Sequence, residues 1–206
     1  MTAHLPILYG SRESGHAYKV KLALSLLGIA HEYREVDLSV PFAERRSDFR
    51  HASPYGEVPV WVDGSLRLAQ SNAILIHLAR ETGRLGGDDI DLVTQWLFWE
   101  ANRIGFSVPN LRHSLVFAKD TAPEVVAWLR SRAEQDLSRL DLQLADSAFI
   151  LGAESSVVDV ACCAYLFWPD QANLDLSAWP NVARWLDGIK SLRGWASPYE
   201  LLKERH

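Results

Sequence analysis

The sequence contains few cysteines, and this absence limits the kinds of site the protein can have. Its 206 residues include two cysteines, Cys162 and Cys163, which are adjacent. Adjacent cysteines cannot join distant segments by disulfide bonds, and their spacing is not that of metal ligands. We therefore predict no disulfide framework and no metal site, with both cysteines buried as small side chains on a helix.

Long apolar runs and an excess of basic residues are also lacking. No apolar stretch approaches the length of a membrane span, and the opening MTAHLPILYG lacks the basic and apolar regions of a signal peptide. The formal net charge is −5, so a nucleic-acid-binding surface is not expected. These absences lead us to expect a cytoplasmic protein with no membrane or nucleic-acid partner.

What is present is an ordinary globular composition. Hydrophobic residues make up 48% of the chain and charged residues 23%, which suits one large domain or two small ones with a sizeable core. Most of the tryptophans follow residue 90. Because an indole buries a large apolar area, we expect most of them to form the core of the second half.

The first 82 residues carry alternating strand and helix patterns. The periodicity predicts strands over 6–9, 31–38, 58–62 and 66–69, helices over 17–27 and 71–82, and an irregular or short helix over 41–52. Gly28 is expected to end the first helix, and Asp63-Gly64 to turn a hairpin. The resulting order, β-α-β-α-β-β-α, indicates an α/β domain.

After residue 82 the strand pattern stops. Residues 83–89, rich in Gly and Asp, are interpreted as a linker. Helical periodicity then predicts helices over 92–115, 122–144, 156–167 and 181–192. Pro109 is expected to kink or break the first of these, and Ser156 with Asp159 to form a capping box. We therefore predict that residues 90–206 form an all-helical domain.

Pro59 interrupts VPVWV, which otherwise reads as a buried strand. A proline has no N–H and removes a hydrogen bond from a strand ladder. One explanation is an edge strand with no ligand. The other is a cis Val58–Pro59 bond, which turns the backbone of Val58 outward so that its N–H and C=O can pair with a peptide-like ligand.

Two serines stand at the starts of predicted helices. Ser71 can cap its helix, or it can bind a carboxylate there with Gln70 alongside, because helix N-termini attract anions. Ser14 lies in the loop before the first helix and can also be a cap. Alternatively, its hydroxyl can donate to a thiolate and, with the helix dipole, lower a bound thiol's pKa from about 8.5.

Several stretches together resemble the cytosolic glutathione transferase family. They are LYGSRESGHAYKVKLALSLLGIAHEYREVDL, SPYGEVPVWVDG, SNAILIHLA and the Ser156–Asp159 capping box, in that order along the chain. The resemblance spans essentially the whole chain and is to a serine-type, bacterial-like member. It implies a thioredoxin-like glutathione-binding domain over 1–82, a linker over 83–89, and an all-helical domain over 90–206 that contributes the electrophile pocket.

The resemblance also implies a mechanism with glutathione as co-substrate and no metal. Val58, before a cis Pro59, would pair with the cysteinyl backbone, and Gln70 and Ser71 would hold the γ-glutamyl end. Ser14, by its spacing to Lys19-Val20, would stabilise the thiolate, and Ser11 is the alternative. The thiolate would attack a small hydrophobic electrophile. The family is usually homodimeric, which implies a homodimer.

The chain departs from the family pattern at two places. Gly15-His16 follows Ser14, where a proline often follows the active serine in relatives. Glu57 occupies a position where several classes have Lys, Gln or His. Because an acid cannot pair with the carboxylates of glutathione, we expect Glu57 to point away or to bind the ligand's amine indirectly.

These departures leave a second hypothesis, a non-catalytic glutathione-transferase-like binding or regulatory module. Two further activities are disfavoured. No cysteine occurs in the loop of residues 10–15, so no mixed disulfide can form there. An isomerase of the maleylacetoacetate type predicts a Ser-Ser-Cys loop, and this loop reads Arg12-Glu13-Ser14-Gly15.

Overall fold

A computed structural model describes residues 5–86 and 89–204 of the chain, which divides into two compact units. The first unit comprises the described residues of Met1–Gly83 and Arg193–His206, and the second those of Arg84–Leu192. Within the described residues, no helix has both the length and the apolar character needed to cross a membrane.

The first unit begins with the predicted alternation of strands and helices. Its elements are β1 (Ile7–Gly10), α1 (Gly15–Leu27), β2 (Glu32–Glu35), α2 (Ser47–Ala52), β3 (Val60–Asp63), β4 (Leu66–Ala69) and α3 (Ser71–Thr82), with a 3-10 turn over Phe42–Glu44. Helix α1 ends at Gly28, whose left-handed backbone forms the expected cap.

The four strands form one mixed sheet in the order β2-β1-β3-β4. Strands β1 and β2 are parallel, whereas β3 runs antiparallel to both β1 and β4. Tyr9 pairs with Val60, and Val60 pairs with Ala69. The C-terminal ends of β1 and β4 and the N-terminal end of β3 therefore lie on the same side of the sheet, where these strands end. Helices α1 and α3 start there, so we call this side the helix-start edge.

Alternation along the strands gives each face of the sheet its own core. On the face towards α2, a buried cluster comprises Ile7, Tyr9, Val36, Phe49, Ala52 and Val60. Leu8 and Trp61, which alternate with these residues, are also buried, as are the inward residues of α1 and α3. Burial on both faces fixes the register of the sheet, because a one-residue slip would reverse every side chain.

The second unit is helical, as the sequence predicts. Its α-helices are α4 (Ile90–Asn102), α5 (Ile104–Val116), α6 (Pro123–Gln143), α7 (Val157–Cys163) and α8 (Pro180–Lys190), and 3-10 turns span Ala164–Phe167, Asp170–Ala172 and Leu176–Ala178. The predicted fold class, a thioredoxin-like α/β domain followed by an all-helical domain, is confirmed.

The break in the first long helical stretch falls at a different residue from the one predicted. Pro109 lies inside α5, and the chain instead leaves helical geometry at Arg103, with φ −118° and ψ −105°. The side chain of Glu100 occupies the space beside Gly105, where a Cβ atom would lie only 2.0 Å from a Glu100 carboxylate oxygen. This packing requires a glycine just after the break.

Helix α7 begins with the predicted capping box. The Ser156 hydroxyl accepts a hydrogen bond from the Val158 N–H, and the Asp159 carboxylate accepts from the Ser156 N–H at 2.8 Å. Asp159 also accepts from the Ile150 N–H and from the Trp185 indole, so the buried carboxylate joins three segments of this unit. Cys162 and Cys163, later in α7, are both buried.

The last described segment belongs to the first unit. The sequence places residues 193–204 in the helical domain, yet they group with the α/β unit, where α9 (Pro198–Leu201) packs against α1. The physical reason is apolar burial: Pro198, Leu201 and Leu202 are buried there. The unit to which residues 193–204 belong therefore differs from the predicted one.

Candidate active site

The residues singled out in the sequence come together at the helix-start edge. Ser14 immediately precedes α1, and Val58-Pro59 immediately precedes β3. Gln70 and Ser71 join β4 to α3. Because Tyr9, Val60 and Ala69 are neighbours across the sheet, the structure brings three separate stretches of chain to this edge.

Ser14 is the N-cap residue of α1. Its hydroxyl oxygen accepts a 3.1 Å hydrogen bond from the Ala17 N–H, and its own N–H donates to the carbonyl of Ser11. A serine hydroxyl that accepts one hydrogen bond keeps its proton for donation elsewhere. The side chain of Ser14 is half-buried, whereas Ser11 is buried, so Ser14 is the more accessible of the two.

The main chain at Val58 is shaped by the proline that follows. The Val58–Pro59 peptide bond is cis. The side chain of Val58 packs against the buried cluster near α2. Within the described parts of the chain, the N–H and C=O of Val58 make no hydrogen bond, since the strand ladder begins at Val60. They are therefore available to an external peptide group.

Gln70 stands at the N-cap position of α3 in an unusual backbone conformation. Its φ is +70° and its ψ 114°, a combination that costs a non-glycine residue free energy and is concentrated at functional sites. Its side-chain amide donates a 3.3 Å hydrogen bond to the Glu57 carboxylate. Glu57 therefore contacts Gln70, one of the two residues expected to hold the γ-glutamyl end.

The start of α3 is arranged to receive an anion. Its N-cap residue, Gln70, makes no side-chain capping hydrogen bond, and no acidic residue occupies its first turn. Ser71, the first residue of the helix, is 8% exposed. Its N–H and hydroxyl lie where the helix dipole is positive, which favours a carboxylate.

A buried lysine adds to the positive charge near this edge. Lys19 on α1 is 1% exposed, and its Nζ lies 3.5 Å from the Oδ1 of Asn72 on α3. Burial, together with the charge of Lys19, lowers the pKa of His16 to about 3, so its imidazole is neutral at physiological pH. Helix α1, like α3, has no acidic residue in its first turn.

Sequence reasoning missed two features near Ser14. Lys19 falls among the apolar positions of α1, and that placement was the one signal of its burial. The contacts of Tyr199 with the loop before α1 link residues 186 positions apart and had no sequence signal. In the described ranges, no group of three or more His, Cys, Asp or Glu side chains is placed to hold a metal ion.

Comparison with known proteins identifies the two units. A model of the glutathione S-transferase N-terminal domain matches residues 6–80, and one of the C-terminal domain matches residues 123–188. A crystal structure of a glutathione S-transferase from Pseudomonas fluorescens superposes with a TM-score of 0.84 at 29% identity, covering 94% of this chain and 98% of the other.

Two curated relatives are similar along nearly their whole length. The disulfide-bond oxidoreductase YfcG of Escherichia coli is 26% identical over 197 residues, which cover 91% of this chain and 90% of the relative. A probable maleylacetoacetate isomerase of Vibrio cholerae is 26% identical over 200 residues, covering 92% and 93%. The two domain models together match most of the chain, in the order in which the two units occur, and the protein therefore belongs to the glutathione S-transferase family.

Proposed function

We propose that this protein binds glutathione and activates its thiol for attack on small hydrophobic electrophiles, with Ser14 as the activating residue. The observation that carries the proposal is the convergence at the helix-start edge. A serine hydroxyl, an unbonded main-chain segment at Val58 and the uncapped start of α3 occur together there.

Val58 and Ser71 lie at the same end of the β3–β4 pair, each two residues beyond the paired Val60 and Ala69. One extended peptide could therefore contact both. The cysteinyl backbone would pair with the N–H and C=O of Val58. The γ-glutamyl carboxylate would accept from the N–H and hydroxyl of Ser71, with Gln70 beside it.

The chemistry needs a thiolate, and the start of α1 suits one. The thiol of bound glutathione releases its proton to solvent, and the Ser14 hydroxyl donates a hydrogen bond to the resulting sulfur anion. That bond and the positive end of α1 lower the thiol's pKa from about 8.5. The thiolate then attacks the electrophile: a carbon–sulfur bond forms, and the leaving group departs with the electron pair of the bond that breaks.

Ser11 is the alternative activating residue, since it lies in the same loop. Its burial and the use of its carbonyl by the Ser14 N–H support a role in shaping the loop instead. We also propose that the helical domain supplies the electrophile pocket and that the protein is a homodimer, on the basis of family membership.

A second candidate substrate class is a disulfide, favoured by the similarity to the E. coli disulfide-bond oxidoreductase. The loop has no cysteine, so the sulfur of glutathione itself would attack the disulfide and displace a thiolate. The same bound thiolate serves both reactions, and the substrate distinguishes them.

The test begins with retention on immobilised glutathione. It continues with the ultraviolet absorbance of the bound thiolate as a function of pH. We expect retention, and a bound thiol that ionises below about 8.5. Turnover is then compared with an aryl halide and with a small disulfide. Retention with no turnover of either would indicate the non-catalytic module, and lack of retention would overturn glutathione binding.

Three variants separate the roles of the two serines. Ser14→Ala removes both the cap and the hydroxyl, whereas Ser14→Thr keeps both. Ser11→Ala leaves Ser14 intact. We expect only Ser14→Ala to raise the pKa of the bound thiol, by about one unit, the size of a hydrogen bond to a charged group. A rise in Ser11→Ala alone would assign activation to Ser11.

A further inference from the structure

Residues 193–204, which we call the strap, cross the surface of the α/β unit and are tied to it at three places. The Ser25 hydroxyl donates to the carbonyl of Gly194 at 2.5 Å, and the buried Tyr18 donates to the carbonyl of Ala196 at 2.8 Å. Further along, the Glu35 N–H donates to the Glu204 carboxylate at 2.7 Å. The strap therefore runs along α1 to the end of β2.

The path of the strap is fixed locally as well. Gly194 has φ +99°, and a Cβ atom there would lie 2.7 Å from the carbonyl oxygen of Ser25, so the close approach requires glycine. A capping box of Ser197 and Glu200 starts α9. Leu201 is among the buried side chains that hold this short helix against the unit.

One side chain of the strap contacts the loop that carries Ser14. The Tyr199 hydroxyl donates a 3.0 Å hydrogen bond to the Glu13 carboxylate. The Arg12 guanidinium lies over the Tyr199 ring, 5.2 Å from its centroid. Arg12 and Glu13 are the two residues immediately before Ser14, so Tyr199 touches the loop on the N-terminal side of the proposed activating hydroxyl.

We propose that Tyr199 is a positioning residue, which fixes Arg12 and Glu13 and thereby aims the Ser14 hydroxyl at the sulfur of the ligand. This inference rests on the proposed function. A hydrogen bond weakens steeply as its angle falls below about 120°, so a small rotation of the loop is enough to weaken the bond to the thiolate. The strap contributes no group to the reaction itself.

The contact also controls where a negative charge lies. Glu13 precedes Ser14, and a carboxylate near the sulfur disfavours the thiolate. Tyr199 holds that carboxylate in place from the strap side. Other titratable groups next to the loop include Arg12 within it, His16 and Lys19 on α1, and Tyr33, whose ring and hydroxyl lie beside Gly10. Loss of the Tyr199–Glu13 hydrogen bond would release Glu13 and misalign Ser14. Each of these two effects raises the pKa of the bound thiol, because each disfavours its ionisation.

The experiment compares Tyr199→Phe with Ser25→Ala in the full chain. The first removes the hydrogen bond to Glu13 and keeps the ring beneath Arg12. The second loosens the strap at the opposite end of α1 and leaves the loop contacts intact. Glu13→Gln, a third variant, removes the charge but keeps an acceptor oxygen for Tyr199. For each, the readouts are glutathione affinity, kcat, and the thiolate absorbance of bound glutathione against pH.

We expect Tyr199→Phe to raise the pKa of the bound thiol by about half a unit to one unit and to lower kcat at pH 7 several-fold, with nearly unchanged glutathione affinity. Neither Ser25→Ala nor Glu13→Gln should raise the pKa of the bound thiol. A Tyr199→Phe protein that binds glutathione with an unchanged thiol pKa would overturn the positioning role alone. Failure of the unmodified chain to bind glutathione would overturn the proposed function and this inference with it.

Discussion

The side-chain amide of Gln70, at the start of α3, donates a 3.3 Å hydrogen bond to the carboxylate of Glu57. This contact places a negative charge beside the proposed position of the γ-glutamyl group, which carries an ammonium. We expect Glu57→Gln to weaken glutathione binding about two- to five-fold, the range for an exposed ion pair. Binding is measured by calorimetry, for glutathione and for an analogue without the amino group.

The analogue is the matched control for this prediction. Without the ammonium, it should bind Glu57→Gln and the parent equally well. Tighter binding of glutathione by Glu57→Gln would show instead that Glu57 faces a ligand carboxylate.

The positive φ of Gln70 predicts opposite effects of one substitution on stability and on binding. Gln70→Gly relieves the backbone cost and should leave the free energy of unfolding unchanged or about 1 kcal/mol higher. It should weaken glutathione binding, because the side chain is lost. Gln70→Ala also lacks the side chain but keeps the unfavourable backbone, so we expect it to be about 1 kcal/mol less stable than the glycine variant. Urea unfolding measures this difference, and equal stabilities would contradict it.

The low pKa of His16 predicts a specific dependence of stability on pH. Burial and the charge of Lys19 lower its pKa from 6.5 to about 3 in the folded protein. As the pH falls below about 6.5, the unfolded chain gains a proton that the folded chain does not bind, so stability falls towards pH 3. His16→Gln should therefore lose less stability between pH 7 and pH 4 than the parent.

Urea unfolding midpoints at the two pH values test this directly. The carboxylates titrate in both proteins and cancel in the comparison. An equal loss of stability in the two proteins would show that His16 is protonated in the folded state.

Substitution of Asp159 should lower the free energy of unfolding more than substitution of Ser156, the other residue of the α7 capping box. Its carboxylate accepts four hydrogen bonds, two from Ser156 and one each from the Ile150 N–H and the Trp185 indole. Asp159→Asn replaces one acceptor oxygen by a donor and leaves buried N–H groups unpaired. We expect a loss of about 3 kcal/mol in the free energy of unfolding.

Ser156→Ala is the control for that variant. It removes one cap hydroxyl and should cost about 1 kcal/mol, the usual effect of losing an N-cap side chain. The two variants are compared by urea unfolding. Equal losses would mean that Asp159 contributes no more than an ordinary cap.

Sequence signals predicted the bounds of those strands and helices that depend on residues close by in the chain. The boundaries of β4 and α3 agree with prediction, because the Asp63-Gly64 turn and the apolar spacing of α3 act within a few residues. Strand β2 is shorter than its alternating pattern, Glu32–Glu35 against 31–38, since its length follows from the four residues of β1 with which it pairs.

Long-range packing explains what prediction missed. The break before α5 is accompanied by close packing of the Glu100 carboxylate against Gly105, a contact that helical periodicity does not encode. The strap depends on pairs such as Tyr18 and Ala196, which are 178 residues apart in sequence. For the candidate site, the stretches around Ser14, Pro59 and Ser71 could be found from motifs. The burial of Lys19 and the contact of Tyr199 needed the structure.

Burial of Cys162 and Cys163 within α7 has a practical consequence for assays. A sulfhydryl reagent such as a chromogenic disulfide reacts with exposed thiolates, so in the native protein it should titrate added glutathione with no background from either side chain. The same reagent becomes a conformational probe under denaturing conditions. As the helical unit unfolds, both cysteine thiols become accessible, and two equivalents of the coloured product should be released per chain.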